Sequence, residues 1–169
     1  GNVAIETSID GLNTDVLRGT VRTGQGGRYS AADLQKSIED MAYEATAQGY
    51  SFADVRARLD RDIATNSFNV TYLVDEGARV YVERINITGN VKTRDFVIRR
   101  ELAFGEGDPF NRSMVIRGRS AIEALDFFSR VEVSTAPGSS ADKIVLNINV
   151  VEKATGEYGA TAGYSTQDG

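Results

Sequence analysis

Residues 49–60 read GYSFADVRARLD, and residues 125–135 read LDFFSRVEVST. The two stretches share the order of their aromatic, aliphatic and charged positions, and aligning Val55 with Val131 separates them by 76 positions. A unit of this length can close its own hydrophobic core, whereas the shorter units of a solenoid must stack on their neighbours. The repeat therefore predicts two small domains in tandem rather than one larger domain.

The second copy has a readable order of secondary-structure elements. Alternating apolar residues predict a strand that starts at Val80 and stops before Gly89-Asn90. Thr93 is expected to cap a short helix, and a longer helix is predicted from about Asn111. A hairpin made of RVEVS and KIVLNINVVE then closes the copy. The predicted order of elements is βααββ.

The first copy follows the same order from Thr14 onward. Ser30 and Asp33 form a pair typical of a helix start, with aspartate in place of the preferred glutamate. Phe52 and Phe128 hold equivalent positions after the long helix of each copy, so both are expected to be buried. The predicted fold class is α+β, with two βααββ domains that each pack two helices on one face of a three-stranded mixed sheet.

Composition limits the chemistry that the chain can perform. The 169 residues include no cysteine and no histidine, which excludes zinc fingers, disulfide scaffolds, thiol nucleophiles and histidine-based acid–base catalysis. The net charge of −5 gives no support to nucleic-acid binding, which favours basic domains. The chain begins Gly-Asn rather than with Met, so we expect a piece of a longer protein.

Several stretches of the chain together resemble a known family. They are the two stretches already quoted, the link DEGARVYVERINITGN (75–90) between the copies, and the ending VVEKATGEYGATAGYSTQDG (150–169). These stretches are similar to polypeptide-transport-associated (POTRA) domains, and most to the last two POTRA domains of outer-membrane assembly factors of the BamA family. The resemblance implies a penultimate POTRA-like domain at 1–79, a last one at 80–156, and the start of a truncated outer-membrane β-barrel at 157–169. It also implies a protein that is not an enzyme and that needs no cofactor.

The resemblance also implies a function and a location. Such a chain is expected to be a periplasmic scaffold of the β-barrel assembly machinery of Gram-negative bacteria. It would dock accessory lipoproteins and guide unfolded outer-membrane protein precursors towards folding and insertion. The expected location is the periplasmic face of the outer membrane, where a C-terminal β-barrel anchors the full-length protein. The alternative within this class is a related transporter: a two-partner secretion pore, a translocation-and-assembly factor or an organelle import channel.

The last residues have a pattern of their own. From Tyr158 to Ser165, apolar and aromatic residues alternate with glycine and small polar residues, as in a strand of a membrane barrel. A single strand cannot span a membrane, since its edges would leave unpaired backbone groups in lipid. In this chain we therefore expect the segment to be frayed or opportunistically paired.

A basic cluster on the two helices of the second copy is the first candidate for a contact site. The charges suit an acidic protein surface or anionic lipid headgroups, although a solvated helix face has the same charge pattern. The resemblance favours docking, because the stretch RREL at 99–102 matches a charged motif in the family domain that binds an accessory lipoprotein. The candidate contact residues are Arg94, Arg99, Arg100, Glu101 and Arg117.

Two strand edges are the second candidate. The apolar stretch KIVLNINVV predicts the central strand of its sheet, which leaves the other hairpin strand at an edge. An edge strand can receive a strand from a client through its backbone, or it can simply be protected by charges such as Arg56, Arg58 and Glu132. The candidate edge residues are Val55, Arg56, Ala57, Val131, Glu132 and Val133.

A soluble hydrolase is the rival from a different class of protein. Without histidine or cysteine it would need a serine–lysine site or a carboxylate pair, and neither occurs in an arrangement that predicts a pocket. The glycine-rich stretch TGQGGRYS (23–30) also lacks the Lys-Ser or Lys-Thr of a phosphate-binding loop, so it is expected to be a connecting turn. Turnover of generic ester and peptide substrates is therefore expected to be nil.

Overall fold

The computed structural model describes residues 2–22 and 30–154. Its elements are β1 (Val3–Thr7), α1 (Thr14–Arg18), α2 (Ala31–Ala47), β2 (Ala53–Asp62), β3 (Ser67–Glu76), β4 (Tyr81–Thr88), α3 (Asp95–Arg99), α4 (Arg112–Ala124), β5 (Phe128–Pro137) and β6 (Lys143–Glu152). The order is βααββ twice, as the repeat predicts. The predicted barrel strand at 157–169 and the glycine-rich turn at 23–29 lie outside the described residues.

The chain divides into two compact units. Unit 1 comprises residues 1–81 and 108–117, and unit 2 comprises residues 82–107 together with those from 118 onward. The predicted domain boundary between residues 79 and 80 stays a prediction.

The sheet of unit 1 has the strand order β1-β3-β2. It is mixed, because β1 runs parallel to β3 whereas β2 runs antiparallel to it. The central strand β3 contributes the buried residues Val70, Tyr72 and Val74 to the core. Helix α2 packs against the sheet and buries Met41 and Ala45.

The sheet of unit 2 has the strand order β4-β6-β5. As predicted, β6 is central and β5 lies at an edge. Alternate residues of β6 form the centre of the core, which the helices α3 and α4 complete with one fully buried isoleucine each. These core residues are Leu146, Ile148, Val150, Ile98 and Ile122.

The strand register confirms the alignment of the two copies. Val55 lies opposite Val74 in unit 1, and Val131 lies opposite Val150 in unit 2. Val74 and Val150 are separated by 76 positions, as are Val55 and Val131. The predicted α+β class with two three-stranded sheets is therefore confirmed.

Two of the three predicted helix starts are confirmed, and one is wrong. Ser30 caps α2 by accepting a hydrogen bond from the Asp33 N–H at 3.3 Å, and Asn111 accepts from two amides of the first turn of α4. Thr93 does not cap α3. The N-cap residue is Arg94, which makes no side-chain capping bond, because the Thr93 N–H and hydroxyl are both bonded to the Glu152 carboxylate.

The two equivalent phenylalanines differ in burial. Phe128 is 7% exposed, as predicted, and it is the first residue of β5. Phe52 is only half-buried, so the expectation of equal burial is wrong. The Phe52 ring makes an edge contact with Tyr81 at 5.4 Å, and the Arg79 guanidinium lies 5.4 Å from its centre. Phe52 is thus covered partly by polar atoms rather than by a closed core.

Candidate functional site

The short helix α3 presents most of the predicted contact residues. It spans only five residues, and Ile98 anchors it in the core while Phe96 is 55% exposed. Arg94 precedes the helix, and Arg100 and Glu101 follow it. We call the set Arg94, Phe96, Arg100 and Glu101 the docking patch.

Arg99 is occupied within unit 2. Its Nε lies 2.8 Å from Asp95 Oδ1, one helical turn earlier, and its Nη2 donates to the Ile85 carbonyl at 3.2 Å. The hydrogen bond that Arg99 donates to the Asp95 carboxylate raises the pKa of Arg99 above its ordinary value. These bonds tie α3 to β4, and the predicted role of Arg99 in partner binding stays a prediction.

The docking patch itself is a mixture of exposed charge and exposed apolar surface. The Arg100 side chain is 62% exposed, and its guanidinium lies 5.8 Å from the centre of the Phe96 ring. Arg100 Nε is 3.9 Å from an oxygen of the half-buried Glu101, at the outer limit of an ion pair, so the pair contributes little to stability. Arg94 is exposed as well. The patch therefore offers one cation beside an aromatic ring and a second exposed arginine at the start of the helix, which suits an acidic partner surface.

Arg117 belongs to unit 1, whereas the docking patch belongs to unit 2. The Arg117 guanidinium bonds to Asp40 and approaches Glu39 Oε1 at 3.8 Å. Its side chain is 31% exposed and lies over the Tyr43 ring at 5.3 Å. Glu39 is 2% exposed, and its Oε1 has no hydrogen-bond partner among the described residues. Arg117 thus compensates buried charge in unit 1, and its predicted contact role stays a prediction.

The register of β5 identifies the backbone groups that face outward. β5 pairs with β6 without interruption over 130–137, and the Gly138 N–H donates to the Lys143 carbonyl at 2.9 Å. Hydrogen-bonded and non-hydrogen-bonded positions alternate in an antiparallel pair, so every second residue directs its N–H and C=O away from β6. On that side the described residues supply no further strand. The outward positions are Val131, Val133 and Thr135.

Two local features bound this open stretch of β5. At one end the register shifts between Phe128 and Arg130. At the other end Pro137 occupies an outward position, where proline offers no N–H to a partner strand. Between them, Glu132 directs its backbone to β6, and its exposed carboxylate lies 3.9 Å from Arg130.

The edge of β2 in unit 1 follows the same rule. The Gly77 N–H donates to the Phe52 carbonyl at 2.7 Å, which places the outward backbone groups on odd-numbered residues of β2. Val55 and Ala57 are therefore outward, whereas Arg56 belongs to the hydrogen-bonded ladder. The Arg56 guanidinium is paired with Asp54 at 3.6 Å and Asp75 at 3.3 Å, so its charge is compensated.

The remaining edge of the sheet in unit 2 is covered by the chain itself. The Gly107 N–H donates to the Val82 carbonyl of β4 at 2.7 Å. The Ile85 N–H donates to the Glu106 carboxylate at 2.9 Å, and the Ile85 carbonyl accepts from Arg99. Because β4 is occupied in this way, β5 is the edge of this sheet that is open to an added strand.

A cleft of 340 Å³ in unit 2 lies beside α3, and sequence reasoning did not identify it. Its lining residues are Lys92, Thr93, Arg94, Val97, Phe127 and Glu152. The Glu152 carboxylate accepts hydrogen bonds from the Lys92 N–H at 2.9 Å and the Thr93 N–H at 2.7 Å. The available signal was the repeat, which pairs Glu152 with Glu76 but gives no role to either residue.

These contacts change the acidity of Glu152. Burial raises its pKa, but the Thr93 hydroxyl and the N–H groups of Lys92, Thr93 and Val91 stabilise the ionised form, and the net effect lowers the pKa below its ordinary value of 4.5. Because the folded pKa is lowered, the ionised group contributes stability that is present above the unfolded pKa. That contribution is lost as the pH falls through the folded pKa.

Two further searches cover only the part of the chain that the structure describes. Residues 2–22 and 30–154 contain no group of three or more acidic side chains placed to hold a metal ion. Within the same ranges, no helix has the length and apolar character needed to cross a membrane.

The fold is similar to solved structures of POTRA domains. The structure of POTRA3-5 of BamA from Haemophilus influenzae aligns with a TM-score of 0.56 and 24% identity, over 89% of this chain and 60% of that chain. BamA from Haemophilus ducreyi lacking POTRA domains 1-3 aligns with a TM-score of 0.53 and 23% identity, over 92% of this chain and 29% of that chain. At these identities the likeness shows the fold.

Sequence relatives agree with this result. Outer membrane protein assembly factor BamA of Nitratidesulfovibrio vulgaris is 30% identical over 140 residues, which cover 82% of this chain and 18% of that protein. The BamA of Neisseria meningitidis serogroup B is 27% identical over 170 residues, which cover 100% of this chain and 21% of that protein. The chain thus spans about a fifth of the length of these curated relatives.

The family pattern itself covers both copies of the repeat. The POTRA pattern, described as "Surface antigen variable number repeat", matches residues 1–77 and again residues 80–153. Each match contains one complete βααββ set of elements. The resemblance noted in the sequence is confirmed, and the chain belongs to the POTRA family.

Proposed function

We propose that this chain is the periplasmic part of an outer-membrane β-barrel assembly factor, with POTRA domains at 1–79 and 80–156 followed by the start of a barrel at 157–169. In this role it guides unfolded barrel precursors and docks accessory lipoproteins at the periplasmic face of the outer membrane. The names of the similar BamA proteins support the assembly role. The observation that carries the client-binding role is the open edge of β5, opposite a β4 edge at which Val82 and Ile85 are already bonded by the chain itself.

Client binding at this edge uses backbone groups. An incoming strand bonds to the outward N–H and C=O groups of β5, and in unit 1 to those of β2. Every residue except proline carries both groups, so binding tolerates many client sequences. The open stretch of β5 is short, because it ends at Pro137 and at the shift beside Phe128. Binding is therefore expected to be weak, which suits a module that must release its clients.

Replacing Val133 with proline is expected to weaken client binding while the fold is retained. The Val133 N–H points away from β6, so proline removes one donor of the open edge and leaves the ladder with β6 intact. The measurement is the affinity of the chain for a peptide taken from a barrel strand, followed by fluorescence anisotropy. Far-UV circular dichroism reports the fold of the variant.

Two control variants make this test specific. Val133→Ala shortens the same side chain but keeps the N–H, so it is expected to bind like the wild type. Glu132→Pro removes an N–H directed to β6 and is expected to destabilise the sheet. Equal peptide binding by Val133→Pro and Val133→Ala contradicts strand addition at β5.

Lipoprotein docking is assigned to the docking patch. Arg94 and Arg100 are exposed, and the exposed Phe96 ring adds apolar contact area beside Arg100. Aromatic residues and arginine are the residue types that most often dominate binding energy at protein interfaces. A partner with acidic residues around a small apolar surface fits this patch best.

Replacing Glu101 with lysine is expected to reduce capture of the accessory lipoprotein without changing thermal stability. The change places a third cation directly beside Arg99 and Arg100, which reverses the local charge pattern of the RREL stretch. Its effect on folding is expected to be about 0.5 kcal/mol or less, because Glu101 makes only a 3.9 Å contact with Arg100. Pull-down of the purified lipoprotein measures the capture.

The matched control is Glu123→Lys, a charge reversal on the exposed surface of α4. It breaks a 3.6 Å pair with Arg119 and is expected to leave capture unchanged. Unchanged capture by Glu101→Lys contradicts the docking assignment. A different result would assign the patch to lipid instead. In that case the wild type captures no lipoprotein but binds phosphatidylglycerol vesicles, and Glu101→Lys does not weaken the vesicle binding.

A further inference from the structure

The loop before α3 is held by a carboxylate from the end of β6. Glu152 Oε2 accepts from the Lys92 N–H at 2.9 Å and from the Thr93 N–H at 2.7 Å, and Oε1 lies 3.1 Å from the Lys92 nitrogen. Bonds from amides to an ionised carboxylate are about twice as strong as neutral ones. This carboxylate therefore fixes residues 91–93, which lead directly into the docking patch.

The helix that carries the patch has little support of its own at this end. It spans five residues, and its N-cap residue Arg94 makes no side-chain capping bond. An uncapped helix of this length is not stable by itself in water. Besides Glu152, the loop is held by the Asn90 side chain, which donates to the Thr93 carbonyl at 2.9 Å. The start of α3 thus depends on side chains outside the helix.

The equivalent glutamate in the first copy is used differently. Glu76 is exposed, and the loop before α1 is held by Tyr50, which donates to the Asp10 carbonyl at 3.2 Å. The side-chain oxygen of Gln48 also accepts a hydrogen bond from the Asn13 N–H at 2.8 Å. Anchoring by the last-strand glutamate is therefore particular to unit 2, the unit that carries the docking patch, and is not a general requirement of the βααββ fold.

We propose that Glu152 is a positioning residue for the docking patch, whose ionised carboxylate holds the loop 91–93 and so sets the position of Arg94 and α3. The inference rests on the proposed docking function. Glu152 itself does not touch the partner. It acts through the backbone of the loop, so the charge on its carboxylate matters more than its size.

The hydrogen bonds of the loop favour the ionised form of Glu152. Burial raises its pKa, but the bonds from Thr93, Lys92 and Val91 outweigh this effect and lower the pKa. Lys92 and Arg94 also line the cleft, whereas the ammonium group of Lys153 is directed to Asp126. The anchor is thus expected to persist at neutral pH and to be lost only in acid, as the pH falls below 4.5 through the folded pKa.

Glu152→Gln is the decisive variant, with Glu76→Gln as its matched control in the other copy. Glutamine keeps the size of the side chain but removes the charge and turns one oxygen into a donor that opposes the loop amides. We expect Glu152→Gln to weaken lipoprotein capture about tenfold, equivalent to about 1.4 kcal/mol. Glu76→Gln is expected to change capture by less than about threefold.

A measurement without the partner separates this inference from the proposed function. In a nuclear magnetic resonance titration of the 169-residue chain, the amide protons of Lys92 and Thr93 should shift together below pH 4.5. In Glu152→Gln they should lie upfield and stop titrating. Thr93→Val keeps the charge of Glu152 but removes the hydrogen bond from the Thr93 hydroxyl. This variant should show lipoprotein capture between that of the wild type and that of Glu152→Gln. It tests the anchor if Glu152→Gln does not fold.

The outcomes are distinct. Absence of lipoprotein capture by the wild type overturns the proposed docking function, whatever the amides show. Capture by the wild type that is unchanged in Glu152→Gln overturns the positioning role. Titration of the Lys92 and Thr93 amides that persists in Glu152→Gln overturns the anchor itself.

Discussion

Replacing Phe128 with alanine is expected to lower the free energy of unfolding of unit 2 by about 3–5 kcal/mol. The side chain is 7% exposed and starts the strand whose other core residue, Val131, is 2% exposed. Alanine leaves a cavity that the neighbouring sheet cannot fill without moving β5, and both the lost burial and the cavity add to the cost. Denaturant unfolding followed by circular dichroism measures the change.

The neighbouring Phe127 provides the control for this experiment. It is 44% exposed, and its ring meets the Phe128 ring at an angle of 79° with the centres 6.1 Å apart. Phe127→Ala removes only this contact and partial burial, so it is expected to cost about 1.5 kcal/mol or less. A loss under about 1 kcal/mol for Phe128→Ala contradicts the alignment of the two copies, because that alignment assigns Phe128 to the core.

Replacing Gly89 with alanine is expected to destabilise unit 2 by about 2–5 kcal/mol. Gly89 has φ +88°, a conformation that side chains with a Cβ rarely adopt. A Cβ there would also lie 1.9 Å from the Val150 carbonyl oxygen, which belongs to the central strand and cannot move freely. The cost therefore combines backbone strain with a displaced strand.

Gly107 separates these two contributions. Its φ is +90°, nearly the same as that of Gly89, but a Cβ would meet nothing within 4 Å. Gly107→Ala is expected to cost only the strain of the backbone, about 1–2 kcal/mol. Equal losses of unfolding free energy for the two variants would show that β4 and β6 do not approach each other as closely as described.

The parts of the fold that sequence predicts well are those set by periodicity over many residues. The 76-residue repeat and the alternation along β6 predict the element order, the central position of β6 and the edge positions of β2 and β5. Each of these depends on burying a whole row of apolar side chains, so a shift by one residue would expose the entire row. Such patterns are compatible with few other strand registers, so they predict the fold well.

Features that depend on a single contact from a distant part of the chain were not predictable. Thr93 has the residue type and the place of a helix cap, but Glu152, 59 positions later, takes its hydrogen-bonding groups. The covering of β4 by Glu106 and Gly107 likewise depends on a loop that folds back on the strand. Neither contact can be predicted from a local sequence pattern, because each joins residues that are far apart in the chain and leaves no regular spacing of residue types.

The candidate site shows the same division. The sequence identifies the charged stretch at 99–102, and the i, i+4 spacing of Asp95 and Arg99 already indicates that this arginine has a partner on its own helix. The alternation of inward and outward backbone groups in β5 needs the register, which only the structure provides. Glu76 and Glu152 occupy equivalent sequence positions, yet only Glu152 anchors a loop.

Backbone amide mapping with a peptide from a barrel strand tests the central claim, that open strand edges receive the client, most directly. We expect the shift changes to concentrate on the outward amides of Val131, Val133 and Thr135, with smaller changes at the intervening residues 132 and 134. Val55 and Ala57 of β2 should respond in the same alternating way. Shifts that cluster on the helices, or no shifts at high peptide concentration, would contradict the account and leave the chain as a spacer and docking platform.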